Sequence, residues 1–509
     1  MTDYLQRILR ARVYDIARET PLDPAPNLSR RLNNKIWLKR EDLQPAFSFK
    51  LRGAYNRMVQ LSKADLRRGV IASSAGNHGQ GVALSARRLG CRAVIVMPKT
   101  TPEVKVRAVR DLGGEVVLHG ETYDECSAKA QKRCKAEGFT YIHPFDDPEV
   151  IAGQGTIGME IMRQSKEPPD AIYVAVGGGG LIAGISVYVK QLWPETQVVG
   201  VEPVDADAMT QSLHRGHRIE LAQVGLFADG VAVRKVGEHT FELAQRYVDR
   251  MVIVDTDAIC AAIKDVFEDT RSILEPAGAL AIAGLKKDIA DQNIQGKRLV
   301  GVACGANMNF ERLRFIAERA ELGEKREAML AVEIPETAGS LRVLCERLHG
   351  RSFTEFSYRM TEGCRAQIFV GVRVNDEHDR VALVQELLNC GFPCLDLSDN
   401  ELAKVHLRHM VGGRLPAQAR RACAGDCNEL VYRFEFPERP GALMNFVNAF
   451  RPNWSISIFH YRNHGADVGR IVIGVLIPKA EMDCWSHFLN DLGYLFWEEN
   501  DNPAYSLFL

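Results

Sequence analysis

Lys50 stands in the stretch EDLQPAFSFKLRG (residues 41–53), with Phe47 and Phe49 just ahead of it. A lysine is normally a solvated surface charge. Apolar flanks change its chemistry, because desolvation lowers an amine's pKa toward neutrality and makes it a usable nucleophile and base. A second stretch, SSAGNHGQG (73–81), puts small residues where a helix would open. Free backbone N–H groups at that positively polarised end suit a carboxylate or phosphate, although a plain Ser- or Asn-capped turn has the same look. In the third, Gly177, Gly178, Gly179 and Gly180 let the backbone wrap an anion closely. The fourth, ACGANMNF (303–310), puts Cys304 at the end of an apolar run. Alone it reads as a buried thiol behaving as a small apolar residue, and no protease signature surrounds it.

These residues need elements to hold them. From about residue 36 to 310, short β-branched runs alternate with helix-like stretches, with strands expected at 70–72, 93–97, 115–118, 172–176, 198–201, 251–254 and 299–303. Helical periodicity fills most gaps, as at 79–89 and 102–112. Such alternation implies a mostly parallel sheet covered on both faces, with ligands at the carboxyl ends of its strands. The uncharged run 171–189 approaches the length of a membrane span, but its four glycines interrupt any helix. It reads as a buried strand, a glycine turn and a packed helix from Leu181. The tetraglycine does not spell the dinucleotide fingerprint well; Glu202 is only a stand-in for the ribose-binding acid.

The last third contains a repeat. EIPETAGSL (333–341) returns as EFPERPGAL (435–443), FSYR (356–359) as FHYR (459–462), and IFVGV (368–372) as IVIGV (471–475). Offsets of 102 and 103 in order imply duplication. Each unit reads strand, turn, helix, strand, strand, helix, strand, the ferredoxin-like order. The polar stretch 412–426 links the copies.

Bulk properties agree with an ordinary globular chain of 509 residues and two to four domains. A net charge of -1 makes nucleic acid a poor partner. Twelve cysteines lack paired zinc spacing and read as free thiols in a reducing cytoplasm. Residues 1–20 carry charges throughout, so no secretion signal is expected, and no membrane or metal site is legible.

An amine, an anion cradle and a second glycine cradle together suggest pyridoxal phosphate, which forms an internal Schiff base with lysine. As a set the motifs resemble the fold type II (tryptophan synthase β-like) pyridoxal-phosphate enzymes, and among them the biosynthetic threonine ammonia-lyases, or threonine dehydratases. SFKLRGA, SSAGNHGQG, the tetraglycine and GANMNF stand in that family's order. The tail stretches VGVRV, VGGR, FEFPERPGAL and FHYRNHG are similar to its paired ACT-like regulatory domains. The resemblance covers roughly residues 5–509. It implies an α/β catalytic domain over 1–322, two ferredoxin-like (ACT-like) α+β domains over 328–400 and 428–501, and a linker over 401–427.

By the same resemblance Lys50 holds the cofactor and, once released, takes the substrate's α-proton. Asn77 would hydrogen-bond the ring hydroxyl; Gly177, Gly178, Gly179, Gly180 and Leu181 would bind the phosphate. Cys304 would face the pyridine nitrogen, where most relatives carry serine. Ser74, Ala75, Gly76 and His78 would line the pocket for the substrate carboxylate, and Glu275 in EPAGA would lie nearby without an assigned step. The implied reaction is deamination of L-threonine to 2-oxobutanoate and ammonia by elimination of water, opening isoleucine biosynthesis, with L-serine as a further substrate. Isoleucine would inhibit and valine counteract it, in a cytoplasmic homotetramer. Tyr358 and Tyr461 are matched candidates for effector contact, or equally for core packing. Serine dehydratases, serine racemases and catabolic threonine dehydratases share such motifs but commonly lack the doubled tail. A racemase-like cation site would want a carboxylate where EPVDADA ends in Ala208. The alternative of another class is an amino-acid sensor with an inactive catalytic part, against which Lys50, Asn77 and the glycine loop stand.

Overall fold

Strands covered on both faces carry no polar side. The run 171–189 behaves so in the computed structural model of the chain: Ala171–Ala175 is a strand with every residue buried, and Gly180–Leu192 is a helix. The structure describes residues 3–323 and, beyond them, 326–335, 343–344, 347–348, 351, 353–358, 365–405, 427–437, 446, 449–450, 454–462 and 468–508. The chain divides into two compact units, Met1–Ala320 and Glu321–Leu509.

In the first unit the strands are β1 (Leu22–Pro24), β2 (Lys35–Arg40), β3 (Val70–Ser73), β4 (Ala93–Met97), β5 (Glu115–Leu118), β6 (Thr140–Tyr141), β7 (Ala171–Ala175), β8 (Gln197–Pro203), β9 (Arg250–Val254) and β10 (Arg298–Ala303). They form two sheets, mostly parallel as expected. One has the order β1-β2-β10-β7-β8-β9 and is parallel except for its edge strand β1; the other is β5-β4-β3-β6, wholly parallel. The stretch from β3 to β6 folds on itself as a smaller layer before the chain returns to pair β7 beside β10. Strand β2 was not expected, because Lys35, Lys39 and Arg40 mask its buried Ile36 and Leu38. Among the described residues, no helix is long and apolar enough to cross a membrane.

The second unit contains β11 (Glu327–Pro335), β12 (Phe353–Tyr358), β13 (Arg365–Arg373), β14 (Cys394–Asp396), β15 (Cys427–Pro437), β16 (Ser455–Arg462), β17 (Val468–Pro478) and β18 (Leu495–Glu498). Its two antiparallel sheets repeat one order, β12-β13-β11-β14 and β16-β17-β15-β18. The duplication extends to irregularities: strand register slips between Phe353 and Glu355 in one copy and between Ile456 and Ile458 in the other. Glu333 accepts from Gln367 across the first sheet at 2.9 Å, and Glu435 from Arg470 across the second at 2.8 Å. The inner faces differ, being aliphatic apart from Phe392 in the first copy and crowded with Trp454, Trp485, Phe434 and Phe446 in the second. The other faces meet, with Met329, Ala331 and Phe369 packing in one cluster with Val431 and Val472. Asn400 donates to Asn502 at 2.9 Å, joining matched positions of the two copies.

The helix expected after the first strand of each copy falls largely outside the described residues, as do parts of the repeat motifs near 336–342 and 438–445 and the linker residues 406–426. Residues Glu401–Val405 are a short helix that buries Leu402 and Ala403 in the shared core, and Cys427 already belongs to β15.

Candidate active site

Each chemically suggestive stretch lies where a strand ends or a helix begins. Strand β3 runs through Ser74, Ala75 and Gly76 into the Asn77–Leu89 helix, and β7 through the glycines into Gly180–Leu192. Strand β10 delivers Cys304, and Lys50 opens the Lys50–Val59 helix. One cavity is lined by Lys50, Asn77, all four glycines, Leu181, Glu275 and Cys304, with Phe49 and Phe145 on its walls. Ser74, Ala75, Gly76 and His78 are not in that lining. The His78 ring is turned away, its Nε2 bonded at 2.9 Å to the Ile142 carbonyl. Tyr358 and Tyr461 occupy matched registers, opposite Ile368 and Ile471, and their side chains lie outside the described residues.

The helices at the cavity carry no side-chain caps: Gly76 and Gly179 hold the N-cap positions, leaving backbone N–H groups available for an anion. Gly179 has φ +94°, and a Cβ there would fall 2.7 Å from Met209 and 2.8 Å from Thr240. A Cβ on Gly178 would collide with the Phe145 ring. Both positions therefore require glycine. Changing Gly178 to alanine is expected to weaken cofactor binding about 10-fold or more, the order of an overpacked contact. Spectroscopic titration of the cofactor into wild-type and variant chains would read it.

The electrostatics suit an uncharged amine. Burial lowers the Lys50 pKa below the ordinary lysine value, opposed by the nearby Cys304 and Glu275. Its Nζ stands 5.5 Å from the Phe49 ring centroid. Burial pushes the Cys304 thiol up, and its Sγ donates to the Ala277 carbonyl at 3.2 Å, so it is a neutral donor rather than a thiolate. Burial and the Asp229 charge raise Glu275 to about 7. Burial lowers His78 to about 3, so its ring is neutral.

Beneath the lysine turn lies a buried ion network that sequence reading missed. Arg52 donates to both oxygens of Glu41 at 2.7 Å and to Glu160 at 2.6 and 2.9 Å, while Lys39 donates to Glu160 at 2.6 Å. All four side chains are fully buried. Asn307 was also unassigned; it bonds Ala46 and Asn77. The two phenylalanines part ways. Phe49 is buried at the cavity, whereas Phe47 is 58% exposed with φ +52°.

A partly buried amine facing an uncapped, glycine-built anion cradle fits pyridoxal phosphate: Nζ for its aldehyde, backbone N–H groups for its phosphate. Residues 13–305 match the model of the pyridoxal-phosphate dependent enzymes, and residues 318–407 and 420–509 each match the C-terminal regulatory domain of threonine dehydratase. A biosynthetic L-threonine dehydratase of Burkholderia multivorans is 55% identical over 510 residues, covering 100% of this chain and 99% of its own. The chain belongs to the biosynthetic threonine dehydratase family. Its Escherichia coli member is 50% identical over 508 residues, with coverage of 100% and 97%. The processed threonine deaminase isoform 2 of Solanum lycopersicum superposes with a TM-score of 0.62 at 54% identity, over 63% of this chain and 88% of that one. Membership fixes the fold as a fold type II catalytic part followed by paired regulatory domains, and makes the chain a pyridoxal-phosphate-dependent lyase with an amino-acid substrate and allosteric control.

Proposed function

We propose that this chain deaminates L-threonine to 2-oxobutanoate and ammonia by α,β-elimination of water, opening isoleucine biosynthesis, and accepts L-serine as well. The observation that carries this reading is the convergence of Lys50, Asn77, the tetraglycine and Cys304 on one cavity, in a chain 55% identical over its whole length to a biosynthetic threonine dehydratase. Bound, pyridoxal phosphate supplies an electron-accepting ring conjugated to the substrate amine. Gly177, Gly178, Gly179, Gly180 and Leu181 would hold its phosphate, Asn77 its ring oxygen and Cys304 its ring nitrogen. Lys50 would hold it covalently through Nζ and, once displaced, would move the substrate's α-proton; burial lowers the amine's pKa and so favours the uncharged form that a base requires. Ser74, Ala75, Gly76 and His78 would line the pocket for the substrate carboxylate. Phe49 and Phe145 keep water from the reacting atoms.

The regulatory part, assigned to 328–400 and 428–501 after a catalytic part of 1–322, would bind isoleucine as inhibitor and valine as its antagonist, shifting the population of a cytoplasmic homotetramer. Tyr358 and Tyr461 are the proposed effector contacts. Steady-state 2-oxobutanoate formation from threonine tests the whole. Turnover that isoleucine lowers and valine restores is expected. Indifference to isoleucine would remove the regulatory half, and a cofactor-loaded chain without 2-oxobutanoate would remove the reading itself.

A further inference from the structure

Asn77 is clamped. Its Oδ1 accepts from Asn307 Nδ2 at 2.8 Å, and its Nδ2 donates to Glu275 Oε1 at 2.6 Å. Asn307 Nδ2 also donates to the Ala46 carbonyl at 2.7 Å, four residues before Lys50. The orientation of these amides follows from chemistry. A backbone carbonyl can only accept, so Ala46 requires the nitrogen of Asn307 to face it. That same nitrogen can then only donate to Asn77, whose oxygen must face Asn307. The Asn77 nitrogen is thereby turned toward Glu275, and its second hydrogen is left for the cavity that Asn77 lines. Without the Asn307 end, the Asn77 amide could present either its oxygen or its nitrogen.

We propose that Asn307 is a positioning residue that fixes Asn77 as a hydrogen-bond donor toward the cofactor's ring oxygen and ties that choice to the loop carrying Lys50. The proposal rests on the assignment of Asn77 to the cofactor. Glu275 completes the clamp from the opposite side, at the start of the Pro276–Gln292 helix, where Gly305 packs tightly against its carboxyl. Asn307 is not among the residues lining the cavity; it acts through Asn77.

The test uses the full-length holoenzyme without substrate, reading the cofactor's dissociation constant and the pH midpoint of its visible absorbance. Asn307→Asp, of the same shape but unable to donate when ionised, and Asn307→Ala are each compared in the wild-type and Asn77→Ala backgrounds. Expected are a dissociation constant raised about 3- to 10-fold, the worth of one hydrogen bond, and an upward move of the midpoint, because an anionic ring oxygen loses its donor. In the Asn77→Ala background neither Asn307 change should move either readout further. Asn307 effects that persist undiminished there, or Asn307 variants that melt earlier with unchanged absorbance and affinity, overturn the proposal. If Asn77→Ala alone moves nothing, the cofactor assignment of Asn77 falls and the proposal with it. Should Asn307→Asp not fold, Asn307→Ala carries the same comparison.

Discussion

A Lys50→Ala chain is expected to fold, to lose the visible absorbance of covalently held cofactor, and to turn over threonine at least ~10³-fold more slowly. The two proposed roles, covalent anchor and proton carrier, would be lost at once, and no other described amine lines the cavity to replace it. Lys50→Arg separates charge from chemistry. A guanidinium keeps the positive charge and much of the length, yet at its pKa it neither forms the bond nor releases a proton. Equal loss in both variants is therefore expected, with phosphate binding retained through the glycine cradle. Turnover and absorbance both surviving in Lys50→Ala would sink the assignment. The environment makes the expectation specific. Burial already lowers the Lys50 pKa, so the amine reaches its uncharged form more readily than a surface lysine would.

What could be read from the sequence follows from how local the signal was. Strand β4 was bounded correctly at 93–97 because Ala93, Val94, Ile95, Val96 and Met97 are all buried, leaving no polar residue to blur its edges. The repeat was legible because its motifs recur in register, and the matched register slips at Phe353 and Ile456 follow from the same duplication. Which strands share a sheet was not legible, since β10 pairs with β2 and β7 over separations that no local pattern records. At the site, Lys50, Asn77, the glycines and Cys304 announced themselves through unusual neighbours. Phe145 and Asn307 did not, because an aromatic in a cleft and an asparagine in a loop look ordinary until their partners are known. The aromatic crowding around Lys50 also concealed two fates: Phe49 shapes the cavity, while Phe47 bonds backbone to backbone with Gln44 and Ala306 and leaves its ring outside. Glu41, Arg52, Lys39 and Glu160 were the least legible, because charged residues in sequence read as solvated ones.

That network gives the largest expected effect on stability. Arg52→Met should lower the unfolding free energy of the catalytic unit by about 3–5 kcal/mol, since it leaves Glu41 and Glu160 buried with only Lys39 to balance them. The intact set is neutral, two cations against two carboxylates, and Arg52 alone spans both acids; it also bonds Thr156 at 3.1 Å and the Arg18 carbonyl at 3.0 Å. Lysine cannot substitute, because a single ammonium lacks the planar fork that reaches two carboxylates. Adding Glu41→Gln to Arg52→Met removes one of the stranded charges and should recover part of the loss, a coupling of about 0.5–3 kcal/mol. Denaturant unfolding of the single and double variants measures both terms. A single variant within about 0.5 kcal/mol of wild type would refute the network's role, since that is the range of ordinary surface changes. The consequence reaches the chemistry. Arg52 lies two residues after Lys50 in the first turn of the same helix, so the ions that hold it also fix where the lysine enters the cavity. Arg52→Met should therefore weaken cofactor retention in the molecules that remain folded, although Arg52 is not among the residues lining the cavity.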